Sequence, residues 1–600
     1  MCGFVSIVSD FPVEREILSA MSDQLSHRGP SSTGFHQFKF HSKYVSLAFQ
    51  RLAIIDVSSA GDQPFISDCS NYIVQFNGEI YNYQDIRNLL VAQGVSFKSK
   101  TDTEVILEAY KYYGHDLCHK LEGMYAIVIF DLLLGQVFIA RDPFGEKPLY
   151  ISQPSSELTV ISSEQKAIFS HPLISASPNL DHIYSRVFSS VHYADQSIFD
   201  DVTVFPAAHY SFADISLPHF IPRRFWRSLV CSGSANPYFD PAFIDNLMSK
   251  LSVSFDQKFL NSDVPIGLML SGGIDSTILL NYLSRDHNIS TFSCIFPGME
   301  GDESAVIASN LTDLNASSYF LSPNFSDLLP QIVDMHWHME DIIPGPSMFL
   351  EWELYRLAAS MGFKVLLDGQ GADECFAGYS QHLLYHRQCS SSNSENSLSD
   401  LTDQTYIDPS YAFRFSEMPS AFELWYHYAI EYQDLPTNLF FGDRSSMAHS
   451  IELRHPYLST QIFSLLDNIN LNYLISQPYS KNLLRLVGRK FNLLPKHLIK
   501  QTKKIGFEFP YSILSQDIAF LRELELRLQS SMILDLFPSF LPHISYLQES
   551  ISPSKVISEF QAYWKFYSLS ILLDLFEKNT WDSQYSPSTL APLFNTLALP

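Results

Sequence analysis

The sequence lacks the features that mark membrane-spanning, disulfide-bonded and nucleic-acid-binding proteins. No apolar run reaches the ~18 residues that a membrane helix needs, and the run 124–134 is broken by Asp131. Seven scattered cysteines without a CxxC pair are typical of free thiols in a reducing compartment. Lysine and arginine number 39 against 64 acidic residues, a formal charge of −25. Because a phosphate backbone needs a basic face, we expect no nucleic-acid partner and no membrane partner.

Two further absences narrow the interpretation. The N-terminus has no charged segment before an apolar one, so we expect no signal peptide and a cytoplasmic location. The GxxxxGK(S/T) loop is missing as well, which excludes the commonest phosphate-binding motif. The 600 residues are too many for one core and predict two or more domains.

The pattern of the chain changes near residue 239. Before it, short β-type runs are separated by Gly, Asn and Pro, with helical patterns at 13–26 and 103–113. These runs predict an α+β layered domain, with strands at 3–8, 45–49, 72–76, 124–130, 137–140 and 159–162. After it, strands at 266–270, 290–296 and 364–367 alternate with helices, which predicts an α/β doubly wound parallel sheet. A helical part follows at 422–576.

These patterns divide the chain into four predicted parts. They are a first domain over 1–190, a connecting segment over 191–238, a second domain over 239–575 and a tail over 576–600. A Ser/Asn-rich stretch at 389–403 predicts a mobile loop inside the second domain. No internal repeat is visible.

The segment LSGGIDS at 270–276 suggests a phosphate site. It lies between an apolar run and a helical pattern, and a glycine turn there aims backbone N–H groups at an anion. Glycines allow close approach, serine hydroxyls donate, and Asp275 can hold Mg²⁺. An ordinary glycine turn remains the alternative for this motif alone.

Cys2 is a candidate nucleophile. If Met1 is removed, the thiol and the α-amine belong to the same residue, and an amine with a pKa of about 7.7–8.0 can act as its base. An incidental cysteine is the alternative for Cys2 alone. Six motifs follow it in order: HRGP (27–30), RLAIID (51–56), QP (63–64), FNGEIYN (76–82), TDTE (101–104) and ARDPFG (140–145).

Together with Cys2, these motifs resemble the class II (N-terminal nucleophile, Ntn) glutamine amidotransferase domain over about residues 2 to 170. The resemblance implies an Ntn-type αββα fold and makes Cys2 the nucleophile, with Asn77 and Gly78 as the oxyanion hole. It assigns glutamine's carboxylate to Arg51 and its ammonium to Asp102, which suits their charges. The implied glutamine site comprises Arg51, Leu52, Ala53, Ile54, Ile55, Asn77, Gly78, Glu79 and Asp102.

The back half carries a second series of motifs: SGGIDS (271–276), FSC (292–294), DGQGADE (368–374), MAHS (447–450), SKNLLR (480–485) and KKIGF (503–507). The series resembles the synthetase domain of glutamine-hydrolysing asparagine synthetases over about 240 to 515. The resemblance implies ATP and Mg²⁺ as cofactors, and glutamine, aspartate and ATP as substrates. A tunnel would carry ammonia to a β-aspartyl-AMP intermediate; the sequence also allows a homodimer.

The match also implies individual roles in this half. Lys481 and Gln370 fall at catalytic positions, and Asp275 and Asp373 at metal-binding ones. The implied ATP site comprises Met269, Ser271, Gly272, Gly273, Asp275, Ser276, Cys294, Asp368 and Gly369.

Two departures lie at the implied chemistry. Gln370 stands where the family carries a glutamate, and glutamine cannot accept a proton, so a water or another carboxylate must take it. Asp368 replaces the usual serine. Glu340-Asp341 lacks the proline of the family's Asp-Glu-Pro and receives no role. These departures keep two alternatives open, an amidotransferase acting on another carboxylate and a non-catalytic regulatory homologue.

Overall fold

The computed structural model describes residues 2–188, 196–228, 242–299, 301–324, 327–391, 421–467, 469–502, 509, 518–528 and 560–577. The motif at 503–507 lies outside the described residues, as do 392–403 of the predicted loop and the tail beyond 577. Residues 389–391 of that loop belong to a helix. Within the described ranges, no helix combines the length and apolarity that crossing a bilayer demands.

The first part of the chain forms two six-stranded antiparallel sheets. Their strand orders are β10-β8-β9-β1-β3-β2 and β12-β11-β7-β6-β5-β4. The strands are β1 (Cys2–Ser9), β2 (Ser32–Phe40), β3 (Lys43–Arg51), β4 (Phe65–Ile66), β5 (Tyr72–Ile80), β6 (Gly123–Asp131), β7 (Gln136–Arg141), β8 (Tyr150–Ser155), β9 (Leu158–Ser162), β10 (Thr203–Val204), β11 (His209–Asp214) and β12 (Arg223–Arg224).

Helices cover the outer faces of both sheets. They are α1 (Arg15–Asp23), α2 (Tyr83–Ala92), α3 (Asp102–Tyr113), α4 (Gln165–Phe169) and α5 (Leu180–Phe188). Along β1, Phe4 faces the core between the sheets, whereas Val5 packs against α1. Both faces are therefore buried, and β1 and β6 read as near-continuous apolar runs. This layering confirms the predicted αββα fold.

The second part contains a five-stranded parallel sheet of order β15-β14-β13-β16-β17. Its strands are β13 (Ile266–Met269), β14 (Ile289–Cys294), β15 (Ala316–Leu321), β16 (Val365–Leu367) and β17 (Glu452–Arg454). In chain order, β14 and β15 are added on one side of β13, and β16 and β17 are then added on the other side. The switch point lies between β13 and β16, where ligands of such sheets bind beyond the strands' carboxyl ends.

Helices surround this parallel sheet and extend beyond it. They are α6 (Ala242–Leu260), α7 (Ile274–Leu283), α8 (Ser304–Asn310), α9 (Leu328–Met339), α10 (Ser347–Ser360), α11 (Ala372–Cys375), α12 (Ser380–Ser391), α13 (Ala421–Glu431), α14 (Asp434–Ala448), α15 (Thr460–Leu466), α16 (Asn482–Lys490), α17 (Lys496–Ile499), α18 (Ile518–Leu528) and α19 (Phe560–Glu577). The predicted doubly wound α/β domain is confirmed.

The structure corrects the sequence expectation for the helical stretch 422–576. Glu452–Arg454 forms strand β17, which pairs with β16. Two of its three residues are charged, so no apolar pattern marks it. Both charges are buried, and they compensate each other because Arg454 Nε donates to Glu452 Oε1 at 2.6 Å. Tertiary pairing therefore overrides the local pattern here.

The connecting segment predicted at 191–238 also contains secondary structure. Strand β10 pairs with β8 and strand β11 with β7, so the described residues 203–224 extend both sheets of the first domain. This pairing favours placing the end of the first domain beyond residue 190, near 226.

Buried ion pairs join the two domains. Arg28 Nη1 lies 2.7 Å from Glu164 of its own domain and 2.9 Å from Asp443 of the second domain. Glu340 accepts the backbone N–H of Lys166 at 2.6 Å and pairs with Arg444 at 3.2 Å. Removing one partner of a buried pair costs about 3–5 kcal/mol, so these contacts hold the domains in one arrangement.

The neighbouring Asp341 pairs with Arg186 of the first domain at 3.2 Å. The two acidic residues at 340–341, to which the sequence assigned no role, therefore bind the other domain.

Candidate active sites

Strand pairing places Cys2 beside the other residues of the predicted glutamine site. Cys2 opens β1 and is the antiparallel partner of Arg51, the last residue of β3. Side chains alternate between the two faces of a strand, so Cys2 lies on the same inner face of its sheet as Phe4. Asn77 likewise lies on the inner face of the other sheet, together with Ile73. The Cys2 backbone N–H donates to Asn77 Oδ1 at 2.9 Å, so the two sheets meet at the candidate nucleophile.

A small cavity opens beside Cys2, between the end of β3 and the start of α3. Most of the predicted glutamine-binding residues line it. The lining consists of Cys2, Arg51, Leu52, Ile54, Ile55, Gly61, Gln63, Phe76, Gly78, Glu79, Thr101, Asp102 and Thr103.

Two predicted residues lie outside this lining. Ala53 instead donates its N–H to Ser31 Oγ at 3.2 Å, and its carbonyl accepts Lys364 Nζ of the second domain at 3.5 Å. Asn77 borders the site through its bond to Cys2, and its buried Nδ2 has no hydrogen-bond partner among the described residues. That N–H₂ group is therefore available to an oxyanion.

Two glycines of this site are closely approached, Gly78 by backbone and Gly61 by a side chain. Gly78 has φ +150°, and a Cβ there would lie 2.0 Å from the Met124 carbonyl oxygen. A Cβ on Gly61 would lie 2.1 Å from Arg51 Nη2, so the guanidinium packs directly on that glycine. No local pattern marks Gly61, because its role depends on a side chain ten residues earlier in the chain (61 − 51).

The loop after β3 holds Arg51 in place. Arg51 Nη1 donates to the Ser58 carbonyl at 2.6 Å and to Asp62 Oδ1 at 3.0 Å. Arg51 Nη2 donates to the Asp56 carbonyl at 2.5 Å. The guanidinium is thereby fixed at the rim of the cavity, as recognition of a carboxylate requires.

Burial dominates the electrostatics of the cavity. It raises the pKa of the Cys2 thiol, while positive charge at the chain's N-terminus and at Arg51 partly offsets the rise. Burial and then the charge of Asp102 raise the pKa of Glu79 well above its ordinary value. A buried thiol with a raised pKa needs an adjacent base to become a nucleophile, and its own α-amine suits that task.

Glutamine binding is expected to weaken at acid pH. Burial raises the pKa of Asp102 to about 6, although the hydrogen bond from the Ile80 N–H acts to lower that pKa. Below that pH the carboxyl is neutral and no longer attracts an ammonium group. We expect the Kd of glutamine for the Cys2→Ala protein, measured by calorimetry, to be about tenfold higher at pH 5 than at pH 7.

Asp102→Asn supplies the control, because it should weaken binding and flatten this dependence. A Kd that does not change with pH in the Asp102-containing protein would contradict the assignment.

The SGGIDS loop lies at the carboxyl end of β13 and leads into α7. Its hydroxyls turn inward, since the Ser271 and Ser276 hydroxyl oxygens lie 3.1 Å apart and Gly273 N–H donates to Ser271 Oγ at 3.2 Å. Gly272 N–H donates to the Glu303 carboxylate at 3.0 Å. The Glu303 carboxylate therefore accepts a hydrogen bond from a backbone N–H of this loop, as a phosphate oxygen would.

Lys481 connects the two predicted metal ligands. Its Nζ contacts Asp275 Oδ2 and lies 2.7 Å from Asp373 Oδ1. Burial lowers the pKa of Lys481, but the two carboxylates outweigh it and raise that pKa. One ammonium touches both carboxylates, so both reach a single cation. Asp275 and Asp373 would therefore suit an ion that prefers oxygen ligands, such as Mg²⁺. Within the described ranges, this site included, no group of three or more His, Cys, Asp or Glu side chains is placed to hold a metal ion.

Gly378 is required beside this cluster. A Cβ there would lie 1.9 Å from Asp373 Oδ1 and 2.2 Å from Lys481 Cε. We expect Gly378→Ala to displace both groups and to lower aspartate-dependent pyrophosphate release by on the order of 10²-fold, the cost of misplacing reacting groups by about 1 Å.

Gly345→Ala is the matched control, because the nearest atom to its Cβ would be Ser347 Oγ at 3.9 Å. Equal activity of the two variants would show that the carboxylate–lysine cluster is not needed.

The remaining predicted nucleotide residues follow neighbouring strands. Met269 ends β13 and Cys294 ends β14, both buried. Asp368 follows β16, and Gly369 packs against Asp275, with 3.1 Å between an ideal Cβ on Gly369 and Asp275 Cβ. Burial raises the pKa of Asp368, while the charge of His455 lowers it. The structure thus brings the predicted ATP residues to one edge of the sheet.

Glu351 was not predicted and lies near Asp368. Burial and then the charge of Asp368 raise the pKa of the Glu351 carboxyl to about 8. The sequence signal that could have found Glu351 is a charged residue among the apolar residues of α10. The resemblance to the family assigns no role to this position.

Two clusters, a cysteine between antiparallel sheets and a phosphate-type loop on a parallel sheet, define a two-domain protein of the glutamine amidotransferase class. Sequence profiles agree: one described as "Glutamine amidotransferase domain" matches residues 1–226, and one described as "Asparagine synthase" matches residues 249–542. The chain belongs to the glutamine-hydrolysing asparagine synthetase family.

Curated relatives span most of the chain. Asparagine synthetase [glutamine-hydrolyzing] 1 of Bacillus subtilis is 27% identical over 85% of this chain and 87% of its own. Asparagine synthetase [glutamine-hydrolyzing] 2 of the same organism is 29% identical over 77% and 66%. The Lotus japonicus synthetase 1 is 26% identical over 84% and 77%.

Among solved structures, a glutamine phosphoribosylpyrophosphate amidotransferase from B. subtilis covers 61% of this chain and 81% of its own, at 13% identity and a TM-score of 0.28.

Proposed function

We propose that this protein makes asparagine from aspartate, glutamine and ATP, releasing glutamate, AMP and diphosphate. The observation that carries the proposal is the Lys481 ammonium between Asp275 and Asp373, directly beside a loop whose Gly272 N–H binds an anionic oxygen. Such a cluster suits carboxylate activation by a nucleotide. The asparagine synthetases similar to this chain support aspartate as the carboxylate.

In the front site, Cys2 would attack the glutamine amide and its α-amine would take the thiol proton. Asn77 Nδ2 and the Gly78 N–H would stabilise the oxyanion, each donor contributing about 3–4 kcal/mol. Arg51 would hold the substrate carboxylate and Asp102 its ammonium. The buried, unpartnered Asn77 Nδ2 supports this assignment among the described residues.

In the back site, Ser271, Gly272, Gly273 and Ser276 would hold the ATP pyrophosphate. Asp275 and Asp373 would hold Mg²⁺, which would neutralise phosphate charge. Lys481 would stabilise the negative charge that develops as the adenylate forms. A cytoplasmic location and a homodimer remain predictions.

A pyrophosphate-release assay across candidate acids tests the proposal. Aspartate should stimulate release from ATP, and asparagine should appear when glutamine is added. Glutamate and other acids serve as controls. Release with another acid but not with aspartate would contradict the proposal.

A second candidate is amidation of a different carboxylate by the same chemistry. Two residues at the nucleotide edge, Gln370 and Asp368, favour keeping it, because they stand where the family carries a glutamate and a serine. The same assay separates the two candidates by the acid that stimulates release.

A further inference from the structure

Gln370 cannot accept a proton, yet an amine that attacks an acyl group must lose one. Ammonia attack forms a C–N bond and a positively charged nitrogen, and the C–O bond to AMP then breaks with its electron pair. The nitrogen must give up a proton before an amide remains. Gln370 Oε1 is buried without a hydrogen-bond partner among the described residues, so it accepts no bond in this arrangement.

His455 lies at the same edge of the sheet. It follows β17 as Asp368 follows β16, and the Asp368 N–H donates to the Arg454 carbonyl at 2.9 Å. The imidazole is close enough to affect the pKa of Asp368. Its side chain is 3% exposed, so its position is set by the residues packed around it.

The first domain orients this imidazole. His455 Nδ1 lies 2.8 Å from Glu146 Oε2, across the domain interface. The Glu146 backbone is itself fixed, because its N–H donates to Asp142 Oδ1 at 2.9 Å. A carboxylate on Nδ1 holds the ring in one tautomer and leaves Nε2 as the acceptor. Within the described ranges, the buried Nε2 has no hydrogen-bond partner.

The other candidate acceptors fit less well. Burial and the charge of Asp368 raise the pKa of Glu351 to about 8, so at neutral pH this carboxyl already carries its proton. Lys481 is bound between two carboxylates as a cation and has no lone pair to offer. His455 combines one ring nitrogen that has no partner among the described residues with a second one held by the Glu146 carboxylate.

We propose that His455, oriented by Glu146, takes the proton of the incoming ammonia in place of a carboxylate at position 370. The proton moves from the attacking nitrogen to Nε2, and the imidazolium is paired with Glu146 while AMP departs. This assignment rests on the proposed function, since it needs ammonia to meet an acyl adenylate. It also places one residue of the first domain in the chemistry of the second.

The test separates adenylate formation from amide formation. We expect His455→Gln to lower ammonia-dependent asparagine formation by about 10²-fold or more, the usual contribution of a general base. Aspartate-dependent pyrophosphate release without ammonia and glutamate release from glutamine should be retained. Adding Gln370→Glu to His455→Gln should restore asparagine formation, because it supplies a carboxylate at the position that lacks one.

Two variants separate chemistry from domain packing. Glu146→Gln should lower amide formation by about tenfold while sparing pyrophosphate release, and Gln370→Glu should restore it as well. Ser450→Ala is the control, because its hydroxyl donates to the His27 carbonyl of the other domain at 2.6 Å. It should leave all three activities unchanged.

Three outcomes would overturn the assignment: full amide formation by His455→Gln, a parallel loss of pyrophosphate release, or failure of Gln370→Glu to rescue. Failure of the proposed function gives a different result, since the unmodified enzyme would then release no pyrophosphate with aspartate. The histidine variants would in that case be measured with the acid that does stimulate release.

Discussion

Replacing Cys2 with alanine will abolish glutamine-dependent amide formation and leave ammonia-dependent formation intact. Cys2 is 7% exposed and lines the cavity at the end of β3, and the variant removes the sulfur that is the candidate nucleophile there. We expect a loss on the order of 10⁴-fold or more in glutamate release, as for removal of a nucleophile. Coupled assays of glutamate, and of asparagine with either nitrogen source, give the measurement.

Cys118→Ala provides the matched control for this variant. Cys118 is also buried in the first domain, and burial raises the pKa of its thiol, but it packs in the core beneath α3 rather than in the cavity. Both activities should survive that change. Loss of ammonia-dependent turnover in a folded Cys2→Ala protein would refute the separation of the two sites.

Replacing Asp275 with asparagine will abolish aspartate-dependent pyrophosphate release. Its carboxylate contacts Lys481 and, with Asp373, forms the pair that fits one cation. The variant removes a negative charge from that cluster at nearly unchanged volume. A loss of about 4 kcal/mol in transition-state stabilisation corresponds to roughly 10³-fold in rate.

Asp256→Asn is the control for the loss of one carboxylate. Asp256 lies on α6 and accepts the Tyr282 hydroxyl at 3.0 Å, away from the loop. Glutamate release should be normal in both variants, because Cys2 belongs to the other domain. Unchanged pyrophosphate release by Asp275→Asn would disprove the assignment of the ATP site.

Much of the front site was predictable because Cys2 and six ordered motifs resemble a known domain, and that resemblance marks residues such as Arg51 and Asn77. Cys2 also has a local reason, since a residue at the chain start can offer its own amine as the base. The spacing of apolar residues also predicted most of the strands that hold them. Gly61 was not predictable, because its need arises from the Arg51 side chain lying against it.

The back site shows the limit of sequence reasoning more sharply. The SGGIDS loop was recognisable from glycines and hydroxyls between a strand and a helix. Strand β17 was not, since two of its three residues are charged and their burial depends on partners such as the ion pair between Arg454 and Glu452 and the Lys258 carbonyl. His455 follows that strand, so missing the strand also meant missing the histidine at the same edge of the sheet.

The sequence by itself determined the two domains, the candidate nucleophile, the phosphate loop and the absence of a carboxylate at position 370. These depend on local chemistry and on spacing along the chain. Only the tertiary structure decided which base stands at the same edge of the sheet: a histidine 85 residues later (455 − 370), held by a glutamate 309 residues before that histidine (455 − 146). Buried polar groups need hydrogen-bond partners, and folding can bring those partners from any distance along the chain. The spacing of residues in the sequence therefore does not show which of them will pair.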